Sequence, residues 1–310
     1  MKNQHPPYDV AVVGAGAAGL QAAQTLGRMG QSAAVFDAGH YRNDPASRMH
    51  NFLGHDGTPP AGLRSAARAD AMRYGTVRFL DCAVARISGD AGDFRLDLED
   101  GPPVAARRVL LATGVTDRLP DVPGLAPLFG DVVAHCPFCH GYEFSGTPVG
   151  LLGAAPHLAQ LAATVARMAS RVIVLPDADT PAPELLASLA GMGVDLRSGR
   201  IRGVRRGGPG LVVDFADGAS LDLGGLFVKT DWRQAAPFAA HLGLELAPSG
   251  AVAVDVLGRS SRAGVYAAGD MAQGPGLPMP MASVLTAAAA GLVAAAACVQ
   301  DAAAERIGRA

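Results

Sequence analysis

The sequence of 310 residues is poor in cysteine, in charge and in clustered basic residues. It has 4 cysteines, and only Cys82 and Cys298 lie outside a single Cys-x-x-Cys motif, which excludes the disulfide framework of a small secreted protein. Charged residues make up 17% of the chain, the formal net charge is −2, and no block of lysine and arginine occurs. We therefore predict that neither nucleic acid nor an anionic membrane surface is a partner.

Apolar runs suited to a signal peptide or a membrane span are also scarce. Residues 1–9 contain no apolar core, so no secretory signal is predicted and a cytoplasmic location is expected. Residues 282–299 carry no charge, but alanine and other small side chains dominate them, and such side chains partition weakly into lipid. We predict a buried helix of a soluble protein in this segment.

What the chain does contain is a glycine-rich turn between a strand and a helix. An apolar run, Tyr8–Val13, precedes Gly-Ala-Gly-Ala-Ala-Gly at residues 14–19, and a second strand, Ser32–Phe36, ends at Asp37, 18 positions after the last glycine. Glycines at this spacing permit a tight turn, close approach of a pyrophosphate and close packing of helix on strand, while the carboxylate can hold a ribose diol. The residues predicted to contact a dinucleotide are Gly14, Gly16, Ala17, Ala18, Gly19 and Asp37.

A paired-cysteine motif, Cys136-Pro137-Phe138-Cys139-His140, lies downstream of this first nucleotide site. Two cysteines at this spacing can form a reducible disulfide, and a helix that starts at the motif would lower the pKa of the thiols. By itself the motif is compatible with redox chemistry, metal binding or chance. Its position downstream of a dinucleotide fingerprint favours redox chemistry, and no metal site is predicted.

Two further segments indicate that the dinucleotide is FAD. Val109–Gly114 is a strand that closes into a turn, and Gly264–Asp270 reads Gly-Val-Tyr-Ala-Ala-Gly-Asp. Both resemble segments of flavoproteins with two dinucleotide sites, in which the aspartate and nearby amides contact the ribityl chain and the pyrophosphate. The residues that this resemblance adds to the predicted FAD site are Ala112, Thr113, Gly114, Gly269 and Asp270.

In this order along the chain, the motifs resemble the low-molecular-weight thioredoxin reductase family over nearly the full length. Asn51–Gly54 resembles the flavin-side loop of that family, and Ala282 stands at the start of the C-terminal helix whose amino end points at the flavin. The resemblance therefore adds Asn51 and Ala282 to the FAD contacts. It also implies that Cys139 faces the flavin, that Cys136 exchanges with substrate, and that the protein is a homodimer.

The residues after the second cysteine depart from that family. Thioredoxin reductases usually place an aspartate there as proton donor, whereas this chain has His140, and Glu143 follows three residues later. The string Cys-Pro-Phe-Cys-His-Gly-Tyr-Glu is more similar to flavin-dependent dithiol oxidases of the gliotoxin and holomycin oxidase type. Histidine titrates near neutrality, so His140 is predicted to take and return a thiol proton, with Glu143 orienting it. The alternative is that His140 caps a turn or packs.

A second strand–turn–helix pattern, where the family binds NADPH, departs from the expected glycine spacing. After the strand Thr147–Leu152 the sequence reads Gly-Ala-Ala-Pro-His-Leu, so alanine and leucine replace residues that admit the pyrophosphate and allow close packing. The next strand, Arg171–Leu175, is followed by Asp177 and Asp179, whereas a 2′-phosphate requires arginines. The sequence therefore argues against NADPH. Asp177 either holds the 2′-OH of NADH or solvates a turn.

We predict an α/β fold with two Rossmann-like three-layer domains of the thioredoxin reductase type. Residues 1–116 and 236–310 are expected to form a discontinuous FAD domain, and residues 117–235 a smaller NAD(P)-binding-like domain that carries the cysteines. The predicted function is exchange of two electrons between FAD and a substrate dithiol or disulfide through Cys136 and Cys139. Oxidation of a small-molecule dithiol, with O₂ or another acceptor, is favoured. Reduction of a thioredoxin-like protein with NADPH or ferredoxin as donor, and redox sensing without catalysis, are the alternatives.

Overall fold

The computed structural model describes residues 6–308, which form two compact units. The first unit takes the chain up to Arg42, then Ala61–Thr116, and then the chain from Arg233 onward. The second unit takes Asn43–Pro60 and Asp117–Trp232. Residues 1–5, which belong to the segment predicted to lack a signal sequence, lie outside the described residues.

The segment Asn43–Pro60, called loop 43–60 from here on, is grouped differently from the prediction. The sequence placed it in the first domain, whereas the structure groups it with the second unit. Pro45 provides part of the physical reason, because a Cβ built on Gly130 would lie 2.7 Å from the Pro45 Cβ. Close contact with Gly130 ties this loop to the unit that carries the cysteine motif.

The strands are numbered in chain order. The first ten are β1 Val10–Val13, β2 Ala33–Phe36, β3 Val77–Leu80, β4 Val84–Asp90, β5 Asp93–Leu98, β6 Val104–Ala106, β7 Val109–Leu111, β8 Val115–Arg118, β9 Val133–Ala134 and β10 Pro148–Leu152. The others are β11 Arg171–Leu175, β12 Asp195–Leu196, β13 Ile201–Gly207, β14 Gly210–Phe215, β15 Ser220–Leu223, β16 Gly225–Phe227, β17 Asp231–Gln234, β18 Val252–Ala253, β19 Val265–Ala267 and β20 Ala272–Gln273.

The helices are numbered in the same way. They are α1 Ala17–Arg28, α2 Pro60–Met72, α3 Pro137–His140, α4 His157–Val165, α5 Pro183–Gly191, α6 Phe238–His241 and α7 Val284–Gly308. Short 3₁₀ turns lie at Ala126–Leu128, Tyr142–Phe144 and Gly269–Met271.

The first unit is built on a parallel sheet with strand order β19-β7-β1-β2-β3. In β1, Val10 lies opposite Ala33 of β2, and Ala11 lies opposite Val109 of β7. All residues of β1, β2 and β7 are buried, which explains why these strands are uninterrupted apolar runs. A three-stranded antiparallel sheet, β4-β5-β6, and the parallel pair β18-β20 belong to the same unit.

Helix α7 packs against α1 with little space between the backbones. A Cβ built on Gly291 would lie 2.0 Å from the carbonyl oxygen of Ala18. By length and composition α7 could also cross a membrane, but its contact with α1 requires the same small apolar side chains. Its start is at Val284 rather than at the predicted Ala282, because Ser283 Oγ accepts the N–H of Thr286 at 3.1 Å and caps the first turn.

The second unit contains a parallel sheet with strand order β12-β11-β10-β16-β9 and an antiparallel sheet, β13-β14-β15. Apolar strands β10 and β11 form the centre of its core, with Leu151 and Val174 fully buried. The α/β class predicted from the sequence is confirmed by these sheets. The chain passes between the units in β8 and β17, which form a two-stranded sheet, and Thr230 donates its hydroxyl to Asp117 at 2.7 Å beside this ribbon.

Candidate functional site

The predicted redox motif follows β9 and contains a disulfide. Cys136 and Cys139 are bonded, their Cα atoms are 5.3 Å apart, and both residues are half-buried. Pro137 begins α3, where its fixed φ suits the first helical position, and the helix predicted at the motif is a single turn of 4 residues. The N–H groups of Cys139 and His140 each donate to the Cys136 carbonyl oxygen at 3.2 Å. The short turn brings the two cysteines together as a disulfide, which is the form that a thiolate can attack.

Gly141 allows the chain to turn sharply after the motif. A Cβ at this position would lie 2.2 Å from the carbonyl oxygen of Pro137 and 3.1 Å from the Met168 sulfur. The aromatic residues before and after this turn point outward, with Phe138 71% and Tyr142 84% exposed. They make the surface near the disulfide apolar.

His140, the predicted acid and base, is held by a backbone carbonyl. Its Nε2 lies 3.1 Å from the oxygen of Gly130. Because a carbonyl oxygen only accepts, Nε2 carries the proton in the neutral imidazole and Nδ1 is left unprotonated. Burial lowers the pKa of His140, and the Gly130 carbonyl and the Glu143 charge oppose this change. The neutral form is therefore favoured, and Nδ1 is the atom that can accept a proton.

Glu143, predicted to orient His140, faces a different histidine. Its Oε1 lies 3.3 Å from Nε2 of His50 in loop 43–60. Among the side-chain hydrogen bonds described within residues 6–308, His140 is held by Gly130 and not by Glu143. Glu143 instead acts on His140 through its charge, which raises the pKa of the imidazole.

Asn51, a predicted FAD contact, is the residue after His50. It has a left-handed backbone conformation with φ 61°, and its N–H donates to Oδ1 of Asp56 at 2.7 Å. The other oxygen of Asp56 lies 3.5 Å from Nδ1 of His50. These bonds from Asn51 and His50 hold the pKa of Asp56 below its usual range. Asn51 belongs to the second unit, whereas the other residues predicted to bind FAD belong to the first.

The glycines of the first nucleotide turn have two different roles. A Cβ on Gly14 would lie 2.3 Å from the carbonyl oxygen of Ala112, and one on Gly19 would lie 1.8 Å from the carbonyl oxygen of Gly14. These two glycines are required by the packing of the protein on itself. A Cβ on Gly16 would have nothing within 4 Å. The space at Gly16 is therefore where a ligand can approach the backbone.

Asp37, predicted to hold the ribose, directly follows β2. The hydroxyl of Tyr41 lies 2.8 and 2.6 Å from its two oxygens, and the N–H of Gly39 donates to Oδ1 at 2.9 Å. Arg68 Nη1 lies 3.6 Å from Oδ2. A ribose diol would therefore compete with Tyr41 for this carboxylate. Ala17 and Ala18, the first residues of α1, follow Gly16 on the same turn.

The remaining residues of the predicted FAD site lie where β7 and β19 end. Thr113 follows β7, with its hydroxyl 3.2 Å from the Met271 sulfur, and Gly114 has φ 69°. Asp270 follows β19 and accepts Arg42 Nη1 at 2.8 Å through Oδ2. Its Oδ1 is buried and has no hydrogen-bond partner in the described part of the chain. Strands β1, β7 and β19 are parallel neighbours, so these residues share one sheet edge with the glycine turn.

These features fit FAD. The open space at Gly16 suits the pyrophosphate, and the unpartnered Oδ1 of Asp270 suits a hydroxyl of the ribityl chain. Gly269, whose φ is 79°, places Asp270 at the end of its strand. Ala282 is exposed and precedes the capped start of α7, and its contact with FAD stays a prediction.

The second nucleotide turn lies between β10 and α4. Gly153 has φ 116°, and Pro156 stands at the N-cap of α4, directly before His157. Backbone N–H groups at such a helix start normally face the phosphates, and a proline has no N–H to donate. Leu158, predicted to prevent close packing, is buried within the unit.

Asp177 has a structural partner in the second unit. Its backbone is left-handed, with φ 58°, and its Oδ1 accepts the N–H of Ile201 at 2.6 Å. Of the two predicted roles, this contact corresponds to the turn. The sequence from Pro176 to Ala182, between β11 and α5, contains no arginine.

The two other cysteines are poor nucleophiles. Burial raises the pKa of the Cys82 thiol, and the charges of Asp81 and Asp100 raise it further. Burial also raises the pKa of Cys298 inside α7. Neither thiol is expected to compete with the Cys136–Cys139 pair.

Sequence reasoning did not find the contacts that His50, Asp56, Arg42 and Gly130 make. A concentration of histidines between residues 40 and 55 was the only sequence signal for His50. The partners of the other residues are distant in sequence or are backbone atoms, which no local pattern reveals.

Comparisons with known proteins agree with this fold. The family model described as pyridine nucleotide-disulphide oxidoreductase matches residues 8–291, and the chain belongs to this family. It is an FAD-dependent disulfide oxidoreductase of the thioredoxin reductase type, which confirms the predicted enzyme class. Membership of this family and similarity to thioredoxin reductases also imply that the flavin is FAD.

Three similar proteins illustrate the relationship. Thioredoxin reductase tcpT of Claviceps purpurea is 35% identical over 84% of this chain and 86% of its own. Thioredoxin reductase sirT of Leptosphaeria maculans is 33% identical over 93% of this chain and 92% of its own. The crystal structure of HlmI superposes with a TM-score of 0.90 and 30% identity, covering 99% of this chain and 96% of that one.

Proposed function

We propose that this enzyme oxidises a small-molecule dithiol to a disulfide and passes the electrons through FAD to O₂ or another acceptor. The second nucleotide turn is the observation that carries this proposal. Pro156 removes a donor at the start of α4, and the Asp177 carboxylate is engaged by Ile201. With no arginine in the segment after β11, this unit has little to hold the 2′-phosphate of NADPH.

Thiol–disulfide exchange accounts for the electrons and protons. A substrate thiolate attacks Cys136 Sγ, which breaks the Cys136–Cys139 bond and releases Cys139 as a thiolate. The second substrate thiol then attacks the substrate sulfur of the mixed disulfide, closes the substrate disulfide and releases Cys136. Two electrons reach the cysteine pair, and the substrate loses two protons. When bound, FAD would supply the two-electron chemistry that reoxidises the cysteine pair, with O₂ or another compound as the final electron acceptor.

His140 supplies the proton transfer that this exchange requires. Its Nε2 is tied to Gly130, so Nδ1 can accept a proton from a substrate thiol and return it to a cysteine thiolate. The lowered pKa of the buried imidazole keeps it neutral, which is the form a base needs. Exposed Phe138 and Tyr142 support an apolar substrate, because both can cover apolar surface next to the disulfide.

The alternative is reduction of thioredoxin or another disulfide by a pyridine nucleotide. The relatives tcpT and sirT favour it, since both are called thioredoxin reductases. The second unit also keeps the parallel sheet on which such nucleotides bind. A cytoplasmic homodimer stays the expectation from the sequence in either case.

An anaerobic titration of the FAD-loaded protein distinguishes the two directions. We expect a small apolar dithiol to bleach the visible flavin absorbance and air to restore it, while NADPH and NADH bleach it only slowly. A variant with both motif cysteines changed to serine is the control and should not be bleached by the dithiol. Rapid bleaching by NADPH, followed by reduction of thioredoxin, would contradict the oxidase proposal.

A further inference from the structure

Loop 43–60 is a closed, internally bonded segment. Met49 and Thr58 form a bridge, with the Met49 N–H donating to the Thr58 carbonyl at 3.0 Å and the Gly57 N–H donating to Met49 at 2.9 Å. Inside this closure, the Asp56 carboxylate accepts the Asn51 N–H. The backbone around His50 is therefore held independently of the cysteine motif.

His50 lies between two carboxylates. Nδ1 is 3.5 Å from Oδ2 of Asp56, and Nε2 is 3.3 Å from Oε1 of Glu143. The His50 side chain is 20% exposed, so the imidazole is largely shielded from water between these acids. Asp56 orients the ring from inside its own loop, and the opposite nitrogen reaches the segment that follows the cysteines.

Loop 43–60 has a second contact in this unit, with the turn before β9. Pro45 lies against Gly130, where a Cβ would come within 2.6 Å of the Pro45 carbonyl carbon. The carbonyl oxygen of Gly130 holds Nε2 of His140 at 3.1 Å. One loop thus supports two of the groups that act on His140: the Gly130 carbonyl and the Glu143 carboxylate.

We propose that His50 is a positioning residue for dithiol exchange, which fixes the Glu143 carboxylate and balances its charge so that His140 can accept and return the thiol proton. This inference rests on the proposed role of His140 in the exchange. His50 acts through Glu143 and is not itself a catalytic residue.

The charges that face His140 come from three segments. Glu143, from the turn after α3, and Asp131, from the turn before β9, raise the pKa of His140, whereas His50, from loop 43–60, lowers it. Asp131 is also paired with Arg206 of β13, which offsets part of its charge. Glu143 and His50 therefore change the pKa of His140 in opposite directions. Because the two side chains are in contact, a change in one of them alters the effect of the other.

Because Glu143 and His50 shift the pKa of His140 in opposite directions, substitutions of the two residues should also have opposite effects. In the FAD-loaded, disulfide form of the full chain, we would follow histidine Cε1 resonances by NMR over a pH series, and assign His140 with the variant His140→Gln. The variant His50→Gln should raise the pKa of His140, because the Glu143 carboxylate is left unbalanced. The variant Glu143→Gln should lower it. Asp56→Asn should act like His50→Gln but more weakly, since His50 stays present but loses the carboxylate that orients its ring towards Glu143.

The variant His55→Gln is the matched control. His55 lies in the same loop, and its described side-chain contact is with the ring of Phe52 at 5.2 Å. This variant should leave the His140 titration unchanged. The pH dependence of dithiol-driven flavin bleaching should follow the NMR result, with its acid limb moved to higher pH by His50→Gln and to lower pH by Glu143→Gln.

Two results separate this inference from the proposed function. If His50→Gln and His55→Gln leave the His140 titration equally unchanged, or if Glu143→Gln shifts it in the same direction as His50→Gln, the role of His50 is overturned while dithiol oxidation can stand. If His140→Gln leaves the pH dependence of bleaching unchanged, the proposed proton transfer fails, whatever the titrations show.

Discussion

Arg42 Nη1 lies 2.8 Å from Oδ2 of Asp270, and this ion pair joins the chain that follows β2 to the turn that follows β19. Both side chains are 19% exposed, so the pair is largely shielded from solvent. Arg42 is the last residue before loop 43–60, and Asp270 is the predicted FAD contact with a buried, unpartnered Oδ1. The Asp270 carboxylate therefore binds Arg42 through Oδ2, while its Oδ1 is left to accept a hydrogen bond from a ligand.

The variant Asp270→Ala should lose FAD more readily than the variant Arg42→Gln. The alanine removes the Oδ1 acceptor, and hydrogen bonds to a charged group contribute about 1.5–3 kcal/mol, so the Kd for FAD should rise about tenfold or more. Arg42→Gln removes the ion pair and leaves the Oδ1 acceptor in place. Equilibrium dialysis of the apoprotein with FAD measures both constants, and equal losses in the two variants would show that Asp270 acts only through Arg42.

The glycine turn predicts a contrast between two single substitutions. Gly16→Ala should leave folding intact, because a Cβ there meets nothing within 4 Å, but it should abolish tight FAD binding. Gly19→Ala should prevent folding, because its Cβ would lie 1.8 Å from a backbone oxygen. Circular dichroism and thermal melting of the apoproteins, together with flavin content after purification, measure both effects. A Gly16→Ala protein that keeps its FAD would contradict the assignment of the open space.

The local parts of both sites were predictable from the sequence. The spacing of Gly14, Gly16 and Gly19 between two apolar runs predicts a strand–turn–helix, so these glycines could be assigned to the turn. The Cys-x-x-Cys spacing in the same way predicts that Cys136 and Cys139 can form a disulfide. The partner of Glu143 could not be predicted, because His50 is brought to it by the folding of a distant loop. The same holds for Asp37, whose carboxylate receives the Tyr41 hydroxyl.

Boundaries set by side-chain capping were also missed. The charge-free run from residue 282 suggested a helix that starts at Ala282. The Ser283 hydroxyl instead caps the first turn, so the helix starts at Val284. The sequence also placed loop 43–60 in the first domain, whereas the structure groups it with the second unit. Its contact with Gly130 depends on a left-handed glycine whose backbone has no room for a Cβ, and this becomes visible only in three dimensions.

The two cysteines should differ when one of them is removed. In the variant Cys139→Ser, the Cys136 thiolate can attack a substrate disulfide and release one substrate thiol, and no neighbouring thiol resolves the mixed disulfide. Intact-mass spectrometry should therefore show one substrate adduct, while Cys136→Ser should show much less. Cys82 and Cys298 should stay unmodified in both variants, because burial raises the pKa of their thiols. A stable substrate adduct on Cys139 in the variant Cys136→Ser, with none on Cys136 in Cys139→Ser, would reverse the assigned roles.

A cluster at the end of α7 predicts how stability depends on pH. Asp301 accepts Arg259 Nη2 at 2.6 Å and Nε at 2.8 Å, and it accepts the hydroxyl of Tyr266 at 2.6 Å. The hydrogen bonds from Arg259 are the main reason why the pKa of Asp301 lies below its usual range. Its folded pKa is thus lower than the unfolded value of about 3.9, so the stabilisation is fully present above that value and is lost as pH falls through the folded pKa.

The variant Asp301→Asn should lower the free energy of unfolding by about 1–2 kcal/mol at neutral pH, a range reduced to allow for partial exposure of the pair. Because asparagine does not titrate, the difference between variant and parent should shrink as the pH falls below about 4. Urea denaturation of the apoproteins across that pH range measures it. The control Asp97→Asn breaks an exposed pair with Arg95 and should change the stability little. A difference between parent and Asp301→Asn that stays constant into acid would show that the aspartate acts through packing and not through its charge.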